Sequence, residues 1–306
     1  MQAEQKRAVV IVNTRSRRGQ EWYPDVIATL PKHGIVIEKA MPFKDSKRMV
    51  QAVKDAIKAE TPLIIVGGGD GTLGSMARHF IGSKSVMGVL PLGTGNQFAR
   101  DLCIDANVET ACEVIGSGKV TGVDVGFAGS DHFLTVATAG LTTLIAQELT
   151  NDAKRKLGRF VYVFALVRAI RRLRPFHAKL VTPQHTLEFD TIQVVIGNGR
   201  FHAGPFPLAP DAAITNGSLV VYALASRSRW ELVRFALHLP GGHHVDLVEV
   251  PTFHTTGGTL TTSPIQKVTV DGEIAEKTPL TFGIRPRALQ VMVPKDFTDV
   301  GYVTPV

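Results

Sequence analysis

The chain of 306 residues is 44% hydrophobic and 20% charged, enough to bury the core of one large or two ordinary domains, and this balance excludes a disordered chain. Its two cysteines, Cys103 and Cys112, are too few for a disulfide framework or a Cys-rich zinc module, and fit a reducing compartment. The net charge of +7 is concentrated: within residues 151–176, Lys154, Arg155, Lys156, Arg159, Arg168, Arg171, Arg172 and Arg174 face one acid, Asp152, and the rest of the chain is neutral.

Residues 8–12, Ala-Val-Val-Ile-Val, are too short for a signal-peptide core and predict a first strand. No stretch reaches the roughly 18–20 apolar residues of a spanning helix, which implies a cytoplasmic chain, at most peripheral to the inner face of a membrane. Residues 20–33 predict a helix that Gly34 ends, 35–40 a strand, and 46–58 a helix with Ser46 as its N-cap. Residues 62–66 and 86–90 predict two further buried strands, each followed by a glycine-rich loop. Continuous apolar strands alternating with helices predict a parallel sheet covered on both faces, with ligands at the strands' carboxyl ends.

After about residue 122 the pattern changes. Short strands at 124–136, 191–197, 217–223, 245–251, 268–270 and 289–293, separated by Gly, Pro, Asn and Asp, predict an antiparallel, sandwich-like domain. Helices over 153–174 and 228–239 interrupt it, and Cys103 and Cys112 read as buried helix residues. The fold class is therefore α/β plus a β-rich second domain, with boundaries at 1–122 and 123–306 and the last residues free to return to the first domain.

Gly69-Asp70-Gly71-Thr72-Leu73-Gly74 fits G-x-G-x-x-G after a strand. A dinucleotide site needs an acid about 20 positions on, and Leu90 to Asn96 contains none. No Gly-Lys-Ser/Thr occurs, so there is no lysine-bearing P-loop. Asp70 inside the turn would repel a pyrophosphate, and makes sense beside a metal ion or a reacting hydroxyl. Gly93-Thr94-Gly95-Asn96 suits a second phosphate cradle, because glycines admit close backbone approach and a helix start follows. Asn13, ending the first strand, is a third polar contact. Two tight strand-to-helix turns without a ligand are the plain alternative. Asp271-Gly272 between short apolar runs signals a type I′ hairpin turn, one that can also project carboxylates. His243, His244, Asp246 and His254 match no zinc spacing.

Residues 66–73, Val-Gly-Gly-Gly-Asp-Gly-Thr-Leu, and 90–100, Leu-Pro-Leu-Gly-Thr-Gly-Asn-Gln-Phe-Ala-Arg, resemble the two nucleotide-binding signatures of the diacylglycerol-kinase-like lipid kinases. The likeness continues through Asp124-Val-Gly, Gly197-Asn-Gly, Ala209-Pro-Asp-Ala, Asn216-Gly-Ser-Leu and Val270-Asp-Gly-Glu, nearly the whole chain in order. The resemblance implies an ATP-dependent lipid kinase with Mg²⁺ and a lipid substrate such as diacylglycerol or a sphingoid lipid. Asn13, Gly68, Gly69, Gly71, Thr72, Gly93, Thr94, Gly95 and Asn96 would hold the nucleotide, and Asp70 and Asp124 the metal or its waters. Asp271 and Glu273 resemble carboxylates near the transferred phosphoryl group, either of which could take the hydroxyl proton. An apolar lipid slot would lie near residues 201–208.

The chain departs from the family at three places. The first loop reads Asn13-Thr14-Arg15-Ser16-Arg17 in place of Asn-Pro-x-Ser-Gly, Gln97 replaces an aspartate, and Thr215-Asn216-Gly217 replaces an Asp-Asp-Gly metal turn. An amide is the poorer ligand for a hard cation, which weakens Asn216 as a metal residue. The basic segment has an apolar stripe at helical spacing, too short to span a bilayer. Arg168, Arg171 and Arg172 suit adsorption to an anionic membrane at about 1 kcal/mol per basic residue. An ordinary amphipathic core helix with a solvated basic face stands beside that reading. No nucleic-acid motif occurs, so nucleic acid is not expected as a partner, and a homodimer is left open. Two alternatives stand: a soluble-substrate kinase of the NAD-kinase type, and a non-catalytic lipid-binding relative.

Overall fold

The computed structural model describes residues 6–148, 165, 168–169, 171–201, 212–224 and 252–298. The chain forms two compact units: Met1–Val125 with Arg200–Gly217 and Arg285–Val306, and Gly126–Gly199 with Ser218–Ile284. Where the sequence suggests one change of character near residue 122, both units are discontinuous in the chain.

The first unit alternates β1 (Lys6–Asn13), α1 (Arg17–Thr29), β2 (Ile35–Phe43), α2 (Ser46–Lys58), β3 (Leu63–Gly68), α3 (Asp70–Ala77), β4 (Val86–Pro91), α4 (Gln97–Asp101) and α5 (Val108–Ser117). The strands run parallel in the order β2-β1-β3-β4. The end of β16 (Leu280–Val293) joins β4 in parallel at Val291 and Met87. Every residue of β3 is buried, as a strand covered on both faces requires. Gly34, with φ 78°, closes the turn that follows α1. The N-cap of α2 is Asp45 rather than Ser46: its carboxylate accepts from Lys47 N at 2.8 Å, placing an anion at the helix's positive end. Cys112 is buried in α5, whereas Cys103 is exposed in a left-handed conformation (φ 58°) just past α4, where a helix cannot continue.

In the second unit the expected strand 124–136 is a hairpin. β5 (Lys119–Ala128) turns at Gly129 (φ 59°) and pairs back through β6 (Asp131–Phe133). Glu276 fixes the reversal by accepting from Ser130 N and Oγ, both at 2.8 Å. One antiparallel sheet runs β12 (Phe253–Thr255), β11 (Leu219–Leu224), β10 (Gln193–Gly197), β7 (Val136–Gly140), β14 (Lys267–Val270) and β15 (Glu273–Lys277). A second arrangement joins the start of β16 to β13 (Gly257–Ser263), β8 (Phe176–Val181) and β9 (Thr186–Thr191). Phe176, Ala178, Leu180, Leu260 and Phe282 from the latter pack in one core with Ala137, Val194, Ile196, Val221 and Val268 from the former. That core makes the unit a sandwich. In β8 the buried residues alternate with His177 and Lys179, so an apolar-run reading passes over the strand. The expected strand 245–251 and helix 228–239, and most of helix 153–174, lie outside the described residues.

Candidate functional site

In the first unit β1, β3 and β4 run parallel and finish at Asn13, Gly68 and Pro91, so their loops share one edge of the sheet. Leu92 N donates to Gly68 O at 2.9 Å, carrying the pairing one residue past the strands. The two glycine loops touch backbone to backbone. A Cβ on Gly93 would lie 2.5 Å from Gly69 Cα, and a Cβ on Gly68 would lie 2.5 Å from Thr72 Cβ. Gly68, Gly69 and Gly93 therefore answer first to contacts inside the protein, where the sequence reading assigns them to phosphate approach. Gly95 differs: a Cβ there would have near it only Asp70 Oδ2 at 3.1 Å and Gln97 Cγ at 3.8 Å.

Two amides hold these loops. Asn13 Nδ2 donates to Thr72 Oγ1 at 2.9 Å, and its Oδ1 accepts from Arg15 N at 3.0 Å. Asn96 is buried in a left-handed conformation (φ 49°) at the start of α4. Its Oδ1 accepts from Gly93 N at 2.8 Å, and its Nδ2 donates to Gly93 O and Pro91 O at 3.1 and 3.3 Å. Its side chain is thus spent on the shape of the loop, and exposed Thr94 stands at the loop's tip.

Asp70 opens α3, and its Oδ1 accepts from Phe98 N at 3.2 Å, which supplies α4 with the side-chain cap that Asn96 does not. Burial pushes its carboxyl above the usual carboxylate range, against the pull of the N–H groups at the start of α4. Asp124 is fully buried, with Oδ2 accepting from Gly217 N at 2.7 Å and Oδ1 from Arg287 N at 2.8 Å. It ties Gly217, the neighbour of Asn216, into the unit. Among the described residues no group of three or more His, Cys, Asp and Glu could hold a metal ion. These loops suit the phosphates of a nucleotide through the amides opening α3 and the approach at Gly95. For a divalent ion they offer one carboxylate, Asp70.

Sequence reasoning missed a buried ion pair beside the site. Arg200 Nε lies 3.3 Å from Asp101 Oδ1, Arg200 N donates to the same oxygen at 3.0 Å, and the side chains are 4% and 1% exposed. A charge pair separated by 99 residues leaves no local signal.

In the second unit Asp271 and Gly272 have φ of 45° and 85°, the two left-handed residues of a type I′ turn joining β14 to β15. The Asp271 carboxylate accepts from Leu134 N (2.9 Å), Thr135 N (3.0 Å), Val136 N (3.2 Å) and Thr135 Oγ1 (2.6 Å). Burial raises its pKa, with the Thr135 hydroxyl and the three amides opposing. Glu273, two residues on, is exposed at the start of β15. His254 Nδ1 lies 3.2 Å from Ser218 Oγ, while His243, His244 and Asp246 fall outside the described residues, as do 202–208 of the expected lipid slot. Arg168, Arg171 and Arg172 are exposed. No helix among the described residues is long and apolar enough to cross a membrane.

Residues 7–128 match the diacylglycerol kinase catalytic domain, and residues 135–293 match the YegS C-terminal NAD kinase beta sandwich-like domain. A protein of Pseudomonas savastanoi pv. phaseolicola named "Probable lipid kinase YegS-like" is 29% identical over 296 residues, 95% of each chain. A "Diacylglycerol kinase" of Staphylococcus epidermidis is 25% identical over 297 residues, 95% of this chain and 93% of its own. A crystal structure of a diacylglycerol kinase from Bacillus anthracis str. Sterne shares the fold, with a TM-score of 0.75 at 20% identity over 94% of this chain and 97% of that one.

Proposed function

The chain belongs to the diacylglycerol-kinase-like lipid kinases, and we propose that it transfers the γ-phosphoryl group of ATP to the hydroxyl of a membrane lipid such as diacylglycerol or a sphingoid lipid. The observation that carries this reading is the pair of glycine loops in mutual contact, with Asp70 between its own loop and the start of α4. Phosphoryl transfer is mostly positioning and charge neutralisation, and rigid loops suit it. The nucleotide supplies the phosphoryl group, and a divalent ion held by Asp70 would neutralise charge on it. The amides opening α3 and the loop around Gly95 orient the phosphates. Asn13 and Asn96 hold those loops in shape.

The general base in this reading is Glu273. Asp271 has its carboxylate filled by four donors, so it serves as the positioning residue that fixes the turn. Glu273 leaves that turn exposed, with its carboxylate available to take the acceptor's proton. Exposed Arg168, Arg171 and Arg172 would draw the protein to an anionic membrane, where the acceptor resides.

The test is transfer of label from radiolabelled ATP to a panel of lipids in anionic vesicles, read by chromatography. The wild type should label at least one lipid. Glu273→Gln should bind ATP as the wild type does and lose about 10²–10⁴-fold in turnover, the usual worth of general-base help. No labelled lipid from the wild type would sink the lipid-kinase reading, and full turnover by Glu273→Gln would remove Glu273 as the base.

A further inference from the structure

The second glycine loop runs into a helix too short to hold itself. α4 has five residues, about 7.5 Å of helix, and directly follows Asn96 in its left-handed conformation. At its start, Phe98 N donates to Asp70 Oδ1 at 3.2 Å, and Arg100 N donates to Asn96 O at 3.0 Å. At its end stands Asp101, on which three bonds from Arg200 converge. Arg200 N and Nε reach Asp101 Oδ1 at 3.0 and 3.3 Å, and Nη2 reaches the Asp101 carbonyl at 3.2 Å. α4 is therefore clamped between the Asp70 carboxylate at one end and the Arg200 guanidinium at the other. We propose that Arg200 is a positioning residue for phosphoryl transfer, which keeps Asp70 and the second glycine loop in place through α4. The inference rests on the reading of these loops as a nucleotide site.

The bonds fix more than a distance. A single contact would leave α4 free to turn about its axis, whereas one planar fork on a carboxylate and a main-chain carbonyl sets both its height and its rotation. The carbonyls of a last turn lack donors within their own helix, and a cation there also meets the helix's negative end. Both side chains of the pair are buried, so Arg200 acts on the site through α4 rather than on a ligand. Stability alone does not call for charge at this position. An apolar pair of the same volume often holds a fold as well or better, while a charge pair with directed hydrogen bonds admits one geometry. Arg200 also opens Arg200–Gly217, the segment that the first unit takes from far along the chain, and Phe201 after it is buried. The place of α4 is thus set by a residue 99 positions away.

The experiment compares the wild-type full chain with Arg200→Lys and with the double variant Asp101→Asn/Arg200→Gln. The double variant removes both charges, so no lone buried charge opposes its folding. Three quantities are read for each: transfer of label from radiolabelled ATP to lipid in anionic vesicles, the stoichiometry of ATP binding by calorimetry, and the melting temperature. Turnover per ATP-binding chain should fall about tenfold in Arg200→Lys, which keeps the charge without the fork. It should fall about a hundredfold in the double variant, the cost of misplacing a reacting group by about 1 Å. The KM for lipid and the ATP stoichiometry should stay at their wild-type values. Wild-type turnover per ATP-binding chain in both variants would overturn the inference, whatever their melting temperatures, and assign the pair to stability alone. A raised KM for lipid with kcat unchanged would also overturn it, since that marks Arg200 as part of the acceptor's binding surface. Loss of ATP binding by both variants would do the same, because the pair would then be a requirement of the fold. A wild type that labels no lipid would overturn the lipid-kinase reading and this inference with it.

Discussion

The glycine loops of the first unit and the Asp271 turn of the second are two solutions to holding a chain in an unusual path. The loops are shaped by what is missing: Gly93 approaches Gly69 so closely that it has no room for a side chain, and Gly69 has little. Their polar ties are shorter in sequence than the turn's: Asn96 to Gly93 is three residues apart, Phe98 to Asp70 28 and Asn13 to Thr72 59. The turn is shaped by what is present. One carboxylate gathers three amides and a hydroxyl from residues 135–137 positions earlier. A steric constraint tolerates no addition, and a polar constraint tolerates no removal.

That contrast can be broken first at the turn. Asp271→Ala leaves three amides and the Thr135 hydroxyl without their acceptor. At about 1–3 kcal/mol per unsatisfied buried group, partly relieved by water, denaturant unfolding should show a loss of about 3 kcal/mol or more. An intermediate effect is expected at the loops. Gly93→Ala drives a Cβ into the Gly69 backbone and should cost about 1–3 kcal/mol by the same measurement, with Gly95→Ala clearly milder because its neighbours are side-chain atoms. Equal losses for the two glycine variants would refute the backbone-contact account.

The smallest effect is in pH dependence. Burial raises the pKa of Asp70 above 3.8, so the folded state holds this proton more tightly than the unfolded chain. The stability it lends is whole below the unfolded value and is lost as pH rises through the raised one. Asp271 has the same sign. Urea midpoints taken from about pH 4 to pH 7 should therefore fall less steeply in Asp70→Asn than in wild type, and an unaltered slope would contradict the assignment.

Most of the first unit was legible because its signals are local. Buried parallel strands read as apolar runs, and glycine loops close them. The hairpin at Asp271-Gly272 was equally plain, since few residues other than these accept two positive φ angles in a row. What the turn's carboxylate binds was not, because Leu134 to Val136 carry no feature that points 135 residues ahead. The same holds for Asp101 with Arg200, and for Asp124 with Gly217 and Arg287. Within the candidate site the residue types were visible and their division of labour was not. Three of the glycines serve packing, and Asn96 serves its own loop. The helix start at Asp45 and the alternating strand β8 were missed for smaller reasons, a neighbouring competitor for the cap and charges set between apolar residues.

The buried acids of the first unit also bear on how the protein is made. Asp101 and Asp124 take their donors from Arg200, Gly217 and Arg287, and β4 meets Val291 of β16 at Met87. A ribosome that has delivered only the first 125 residues has released a sheet whose β4 edge lacks that neighbour and two carboxylates that lack these donors. Buried charge is costly when its donors are missing, and an open strand edge invites other chains to pair with it. The α/β unit therefore closes only after Arg200, Gly217, Arg287 and Val291 have emerged, although most of its residues come first.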